Sequence, residues 1–533
     1  MKTFMLNDIL KTFIHYIYNN FTILATGFYL LLIPFVFIYY TIGKKYNIQW
    51  ILIFFASVFF YLANCSLKLA ALVLIPISIT YLAALLLGRT KQKKVLNIIV
   101  LLLNIIFLIY FKERNFFVSS ANILSNILGA GGGDALPLLK ILSPFGVSYF
   151  ILMLISYYLD ICWNNALPQK NPFKFISYVI FFPLMTSGPI VRYGAIEQDL
   201  YLNHSFDYES FCFGVQRIIY GMFKKMVIAD RLLLVVNTIY NNYSNYSGFI
   251  ILLGIFAYTF QVYFDFSGCM DIVIGIGGTL GIKIPENFRQ PFFSTSLSEF
   301  WRRWHISLGL WVKDYILYPV LKTNIIQKIS LFIKKKLGKK NYYAKMIPTW
   351  CGVFFVWFTV GFWHGGTWNY IFGSGLFFFI MITLGQALSP VTDKLILLFS
   401  IDTEKSSWKI FQRLRTVSLF AFSVSFGRAS SLMDGISMWQ RLFSEFNPWV
   451  LFDGTLFKIG LDVYDFFVLI FAMSIVFVVE LLEQKNNVSV RKILADQNLV
   501  FRWIIYILMI FIIIIFGIYG PGYDSTKFIY GNF

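Results

Sequence analysis

The chain has 533 residues, of which 58% are hydrophobic, 20% aromatic and only 13% charged. Its mean hydropathy of +0.69 lies outside the range of soluble domains, so the composition excludes a soluble enzyme or binding module and predicts a polytopic membrane protein. The formal net charge of +19 sits in short clusters beside apolar runs, where juxtamembrane loops account for it, and no nucleic-acid partner is expected.

Met1 to Asn20 mixes Asp8, Lys11 and His15 with apolar residues and offers no small-residue cleavage site. A cleavable signal peptide is therefore not expected, and the first span serves as its own insertion signal. Uncharged runs follow at Phe21–Tyr40, Tyr46–Leu67, Leu69–Gly88, Val95–Phe111, Ile141–Leu159 and Phe175–Val191. Further runs cover Tyr243–Phe264, Ile347–Trp363, Gly365–Ala387, Phe466–Val479 and Trp503–Tyr523. About 20 apolar residues carry a helix across the hydrocarbon core, which predicts an all-α bundle of roughly 11 to 13 crossings or partial crossings. The basic clusters at Arg89–Lys94, Lys334–Lys345 and Arg491–Arg502 mark cytoplasmic loops by the positive-inside rule. Counting from the first cluster puts the N-terminus and the loop Gly129–Asp134 outside. We divide the chain into N-terminal helices (1–140), a catalytic core (141–392) and C-terminal helices of the same membrane domain (393–533).

Three stretches break the simple pattern. In FFPLMTSGPIVRY (Phe181–Tyr193), Ser187, Gly188 and Pro189 end a helix, either at the surface or as irregular backbone beside protein or a water-filled cavity. Phe211–Tyr240 is interrupted by Arg217, Lys224, Lys225, Asp230 and Arg231, which predicts a tilted, interfacial or partly buried helix rather than a lipid-exposed span. QVYFDFSGCMD then puts Asp265 and Asp271 at the end of a span, where an ion pair with Arg302 or Arg303 is the first expectation and orientation of an imidazole the second.

SEFWRRWHISLGLWVKDYILYP (Ser298–Pro319) holds the densest set of unusual residues. Read as one interfacial helix, it shares Phe300, Trp304, Ser307, Leu308 and Trp311 on one face and points Arg302, Arg303 and Lys313 elsewhere. His305 is then either a satisfied interfacial residue or part of a site. The five cysteines are scattered without pairing or metal-ligand spacing, and neither a disulfide framework nor a metal site is expected.

VGFWHGGTWNY (Val360–Tyr370) carries His364 in a stretch, Met346–Thr392, without a single Asp, Glu, Lys or Arg. From Lys345 a straight helix rises about 28 Å to His364, into the outer half of the bilayer. One reading is a wet histidine at a hairpin tip, with Gly361, Gly365 and Gly366 serving close packing. The other is function, the default for an ionisable residue inside a membrane segment. A lone histidine is a poor metal site, and neither a G-x-S-x-G elbow nor a Walker loop is present. A neutral imidazole in a dry cavity suits proton removal from an alcohol, which makes general-base acyl transfer the natural candidate.

Together SGPIVRY, QVYFDFSGCMDIVIGIGGTLGIKIPENFRQPF, SEFWRRWHISLGLWVKDYILYP and GFWHGGTWN resemble the membrane-bound O-acyltransferase family in its bacterial branch, which includes alginate O-acetylation and teichoic-acid D-alanylation. The ending KFIYGNF and the segment SFGRA (Ser425–Ala429) match less closely. The resemblance implies a ring of helices around a central pore in the bacterial cell membrane, with His364 as the essential histidine and His305 as the second. It implies a cytoplasmic thioester donor, acetyl-CoA or another phosphopantetheine thioester, and no tightly bound cofactor. Arg302, Arg303, Trp304, Asp265, Ser187, Gly188 and Trp363 would support the substrates. The acceptor would be an extracytoplasmic glycan or a partner acetyltransferase. D-alanyl transfer to teichoic acid is the alternative within the enzyme class, and a polysaccharide or lipid transporter is the alternative outside it.

Overall fold

The computed structural model describes residues 21–128, 136–138 and 141–519. The expectations for Met1–Asn20, the loop Gly129–Asp134 and the ending KFIYGNF lie outside these residues. Among the described residues all regular structure is helical. Eight helices are long and apolar enough to cross a membrane, and a ninth crossing arises if Ile306–Leu321 and Asn324–Leu337, bent by 65°, count as one. Two shorter apolar helices, Gln49–Asn64 and Val147–Cys162, complete the set. The 11 to 13 crossings expected from the sequence are approached only when these partial elements are included. This is a multi-pass membrane protein.

Eight helices bear directly on the site. Helix α1 (Lys93–Leu108) runs through a π turn, Ile109–Glu113, into the helix Arg114–Ile127. Helix α2 (Tyr208–Met222), a π turn at Phe223–Ala229 and α3 (Asp230–Asn241) form one long, interrupted rod. It packs on α4 (Gly248–Thr279), the most enclosed span, with 72% of its apolar window buried against 0% for the peripheral Leu499–Phe516. Helices α5 (Leu297–Arg303), α6 (Ile306–Val312), α7 (Tyr342–Gly365) and α8 (Val463–Asn486) follow in chain order.

Glycine spacing explains the α2–α4 contact. Gly214 and Gly221 on α2 face Gly275 and Gly268 on α4, each pair two turns apart. A methyl group added at Gly221 would stand 2.5 Å from the Gly268 carbonyl oxygen, and one at Gly268 would stand 2.8 Å from the Gly221 oxygen. Gly214 and Gly275 block one another in the same way, at 2.7 and 2.6 Å. Small residues at such a seam let two backbones meet where lipid supplies no hydrophobic drive.

Close approach also closes a ladder of buried charges. Arg217 Nε lies 2.8 Å and Lys224 Nζ 2.9 Å from the Asp271 carboxylate. Lys225 Nζ lies 2.5 Å from Asp265 and 2.8 Å from Asp230. Two consecutive lysines face inward because they occupy the π turn, whose extra residue widens the helix. The interruptions in Phe211–Tyr240 thus mark a buried helix, as its sequence indicates. The ion pair expected between Asp265 and Arg302 or Arg303 is corrected: both aspartates pair with α2 and its π turn, because the glycine seam brings those cations closer.

Gly268→Val should overpack this seam and cost about 1 to 3 kcal/mol. Thermal unfolding of the solubilised full chain, followed by fluorescence-detected size exclusion, should show a lower midpoint. Gly385→Ala, where an added methyl meets nothing within 4 Å, should leave the midpoint unchanged.

Candidate active site

The segment from Ser298 to Pro319 is not one helix. Helix α5 ends at Arg303, Trp304 is extended, His305 takes a left-handed backbone with φ of 46°, and α6 begins at Ile306. The break has a hydrogen-bonding cause. The Ile306 amide donates to the Asn287 carbonyl at 3.0 Å, and the Arg289 amide donates to the Arg303 carbonyl at 2.9 Å. These bonds to a neighbouring segment replace the i to i−4 bonds a continuous helix would make.

Asn287 is the hub of this turn. It is fully buried, and its Oδ1 accepts the Ser307 amide at 2.9 Å and lies 3.3 Å from His305 Nδ1. That contact suits an Nδ1–H donor and leaves Nε2 as the acceptor of the ring. Ser307 Oγ in turn accepts the Ile190 amide at 3.1 Å, which docks the SGPI loop on the His305 turn. Ser187 and Gly188 are buried there. The irregular backbone at Phe181–Val191 therefore lies inside protein, and the reading of it as a surface helix end is corrected.

Helix α7 starts where Asn341 Oδ1 accepts the Tyr343 and Ala344 amides. It stops at Gly365, and Gly366, with φ of 52°, donates back to the Phe362 carbonyl at 2.9 Å. The chain then reverses into a π turn at Tyr370–Leu376. Gly361 and Gly365 do serve close packing, since side chains there would strike Tyr370. His364 at this tip is nevertheless buried, with 8% exposure, which corrects the picture of a wet histidine.

The two imidazoles meet, with ring centroids 6.4 Å apart. Trp363 packs beside both, 4.9 Å from His364 and 6.2 Å from His305, and the Phe266 ring stands edge-on to His305 at 4.8 Å. His364 borders a cavity of about 30 Å³ walled by Trp301, Trp304, Tyr258, Tyr370 and Phe420. That space admits a water or a very small group.

On the other side of Asn287 lies a cavity of about 760 Å³ between α2, α4, α8 and Leu499–Phe516, within the size range of small-molecule sites. Arg217, Lys224, Arg289 and Arg491 line it, together with Asp271, Glu286, Glu480 and Glu483. Arg217 is held by Asp271 and Glu286, and Lys224 by Asp271. Arg289 and Arg491 have no carboxylate within 4.0 Å among the described residues. Burial first, then the charge of Arg217, holds the Arg491 guanidinium below its ordinary range. Such a cation gains from an arriving anion. Among the described residues no His, Cys, Asp and Glu cluster could hold a metal ion.

Residues 134–331 match the model of the MBOAT, membrane-bound O-acyltransferase, family. Over these residues the chain is similar to the membrane-bound O-acyltransferase family. It is 34% identical over 280 residues to the probable alginate O-acetylase of Pseudomonas aeruginosa, an alignment covering 52% of this chain and 51% of that one. It is 29% identical over 372 residues to the peptidoglycan O-acetyltransferase of Helicobacter pylori, covering 64% of each. The teichoic acid D-alanyltransferase of Bacillus subtilis is 28% identical over 251 residues, covering 46% of this chain and 59% of the relative. The chain thus spans about half the length of the alginate relatives it matches.

Of the residues selected from sequence, the fold brings His364, His305, Trp363 and Trp304 together, with Ser187 and Gly188 in the loop bonded to the His305 turn. Arg302 is exposed. Arg303 is bound to Glu299 and to Gln484 Oε1, both at 2.6 Å, and neither arginine lines the larger cavity. Asn287, Arg289 and Arg491 escaped the sequence reading. Asn287 lies in the same family-like stretch as Asp265, and the signal for the arginines was charge flanking apolar spans.

Asn287→Ala should strand the buried Ser307 amide and cost about 1 to 3 kcal/mol. Asn287→Asp keeps the accepting oxygen, so thermal unfolding should find Ala clearly less stable than Asp.

Proposed function

We propose that the protein transfers a small acyl group, acetyl, from a cytoplasmic thioester to a hydroxyl of an extracytoplasmic glycan or to a partner acetyltransferase in the bacterial cell membrane. The observation that carries this reading is the juxtaposition of two buried imidazoles, His364 bordering a very small aromatic cavity and His305 lying beside Asn287, which lines a larger cavity with arginines. Arg491 belongs to a basic cluster of the cytoplasmic type, which supports entry of a phosphate-bearing donor from that side. Acetyl-CoA or another phosphopantetheine thioester has the charge and dimensions to fit, its anionic groups on Arg289 and Arg491.

His364 Nε2 or Nδ1 acts as general base on the acceptor hydroxyl. The hydroxyl oxygen forms a bond to the thioester carbonyl carbon, the carbon–sulfur bond breaks, and the thiolate takes the proton from the imidazolium. His305 is oriented by Asn287, which lines the donor cavity, and stands beside His364 at the reacting carbon. Trp301, Trp304 and Phe420 limit the acyl group to a few atoms. Among the described residues the small cavity has no carboxylate in its lining, which favours neutral acetyl over D-alanyl with its ammonium group. The alginate and peptidoglycan relatives carry O-acetyl names, in agreement with that preference.

Ester-linked acetate and D-alanine on surface and secreted glycans, compared between cells carrying wild-type and His364→Ala protein at matched membrane levels, test the reading. Acetate should fall to background with His364→Ala while D-alanine stays constant. Loss of D-alanine alone moves the assignment to teichoic acid, and no loss of an ester that the wild type supplies removes His364 from the chemistry. A second outcome concerns size. Trp301→Leu should enlarge the cavity beside His364 and raise the rate with propionyl-CoA or butyryl-CoA relative to acetyl-CoA about 10-fold, the discrimination one or two methylenes provide.

A further inference from the structure

Helix α1 and its π turn precede the family match at residues 134–331, and the span they form is only 17% buried in its apolar window. Within this lipid-facing helix, the π turn Ile109–Glu113 carries two charges inward. The side chain of Lys112 is 9% exposed and that of Glu113 1%. Charges at such depth are costly, and a packing role could be filled by apolar residues.

Their contacts converge on the last turn of α7. Lys112 Nζ donates to the Trp363 carbonyl and stands 4.6 Å over the Trp363 indole. Carbonyls of a final helical turn lack amide partners and carry the negative end of the helix dipole, so an ammonium is suited to that position. Glu113 Oε1 lies 3.7 Å from the same ammonium, and neither of its carboxylate oxygens accepts a hydrogen bond among the described residues. The left-handed backbone of Gly366 rests against this carboxylate, where a side chain would collide with it. The pair thus grips the chain on both sides of His364, at Trp363 and at Gly366.

We infer that Lys112, supported by Glu113, is a positioning residue for His364: it anchors the final turn of α7 and the Trp363 indole, and so holds the imidazole in its reactive placement. The inference rests on the acyl-transfer reading above. Its expected signature is a loss of turnover with donor binding intact, because Lys112 is not among the residues lining the larger cavity.

The test uses membranes holding matched amounts of the full chain, radiolabelled acetyl-CoA as donor and the glycan of those membranes as acceptor. Lys112→Met should lower kcat about 10- to 100-fold, the range for lost support of a reactive group, with the KM for acetyl-CoA within about 2-fold of wild type. The double variant Lys112→Met, Glu113→Gln leaves no unpaired buried charge and keeps the measurement interpretable if the single variant folds poorly. It should be as slow as the single one. Wild-type kcat in Lys112→Met, or its recovery in the double variant, overturns the inference, since the two charges would then only neutralise each other. His364→Ala separates the two claims. If it is inactive while Lys112→Met is fully active, only the positioning role falls. If it is active, the reading of His364 as base falls first.

Discussion

The seam of Gly214 and Gly221 against Gly268 and Gly275 decides what the rest of the structure is able to hold. Two helix backbones in contact bring Arg217, Lys224 and Lys225 within bonding distance of Asp271 and Asp265, and only at that distance is burial of five charges tolerable. The paired charges fix α4 against α2. Met270 of α4 lies 3.1 Å from the Asn287 amide, and Phe266 packs on His305, so the histidine turn takes its place from the same helix. A looser seam would leave carboxylates unpaired in hydrocarbon and the His305 turn without its floor.

Much of this was legible in the chain. Two histidines amid tryptophans, one of them in 47 uncharged residues, announced themselves because ionisable groups at membrane depth are rare. The break at Ser187–Pro189 and the charged interruptions after Phe211 were visible for the same reason. Partners were not. Asp265 lies at comparable sequence distance from Arg302 and Arg303 on one side and from Lys225 on the other, and its cation comes from the earlier side, 40 residues away, since pairing follows the glycine contact. The spacing of seven residues in Gly214 and Gly221, repeated in Gly268 and Gly275, was the available signal.

Local conformation was the least legible level. The stretch from Ser298 to Pro319 has a helical pattern of aromatics throughout, and nothing local forbids one helix. Bonds from Asn287 and Arg289, more than ten residues away, interrupt it and turn His305 inward. The same holds for the charged residues of the first spans. Lys112 and Glu113 read as the ordinary end of an apolar run, because their inward direction depends on a turn with one extra residue.

That extra residue has a consequence for reading relatives of this chain. The π turn at Ile109–Glu113 shifts the helical phase, so the halves before and after it present faces offset by about 100°, the rotation per residue of an α-helix. A single-residue gap here would hardly register in an alignment, and the lysine and glutamate would still appear in register. In the molecule they would face lipid instead of the histidine turn. Agreement of letters across this segment therefore reports common descent more faithfully than common geometry.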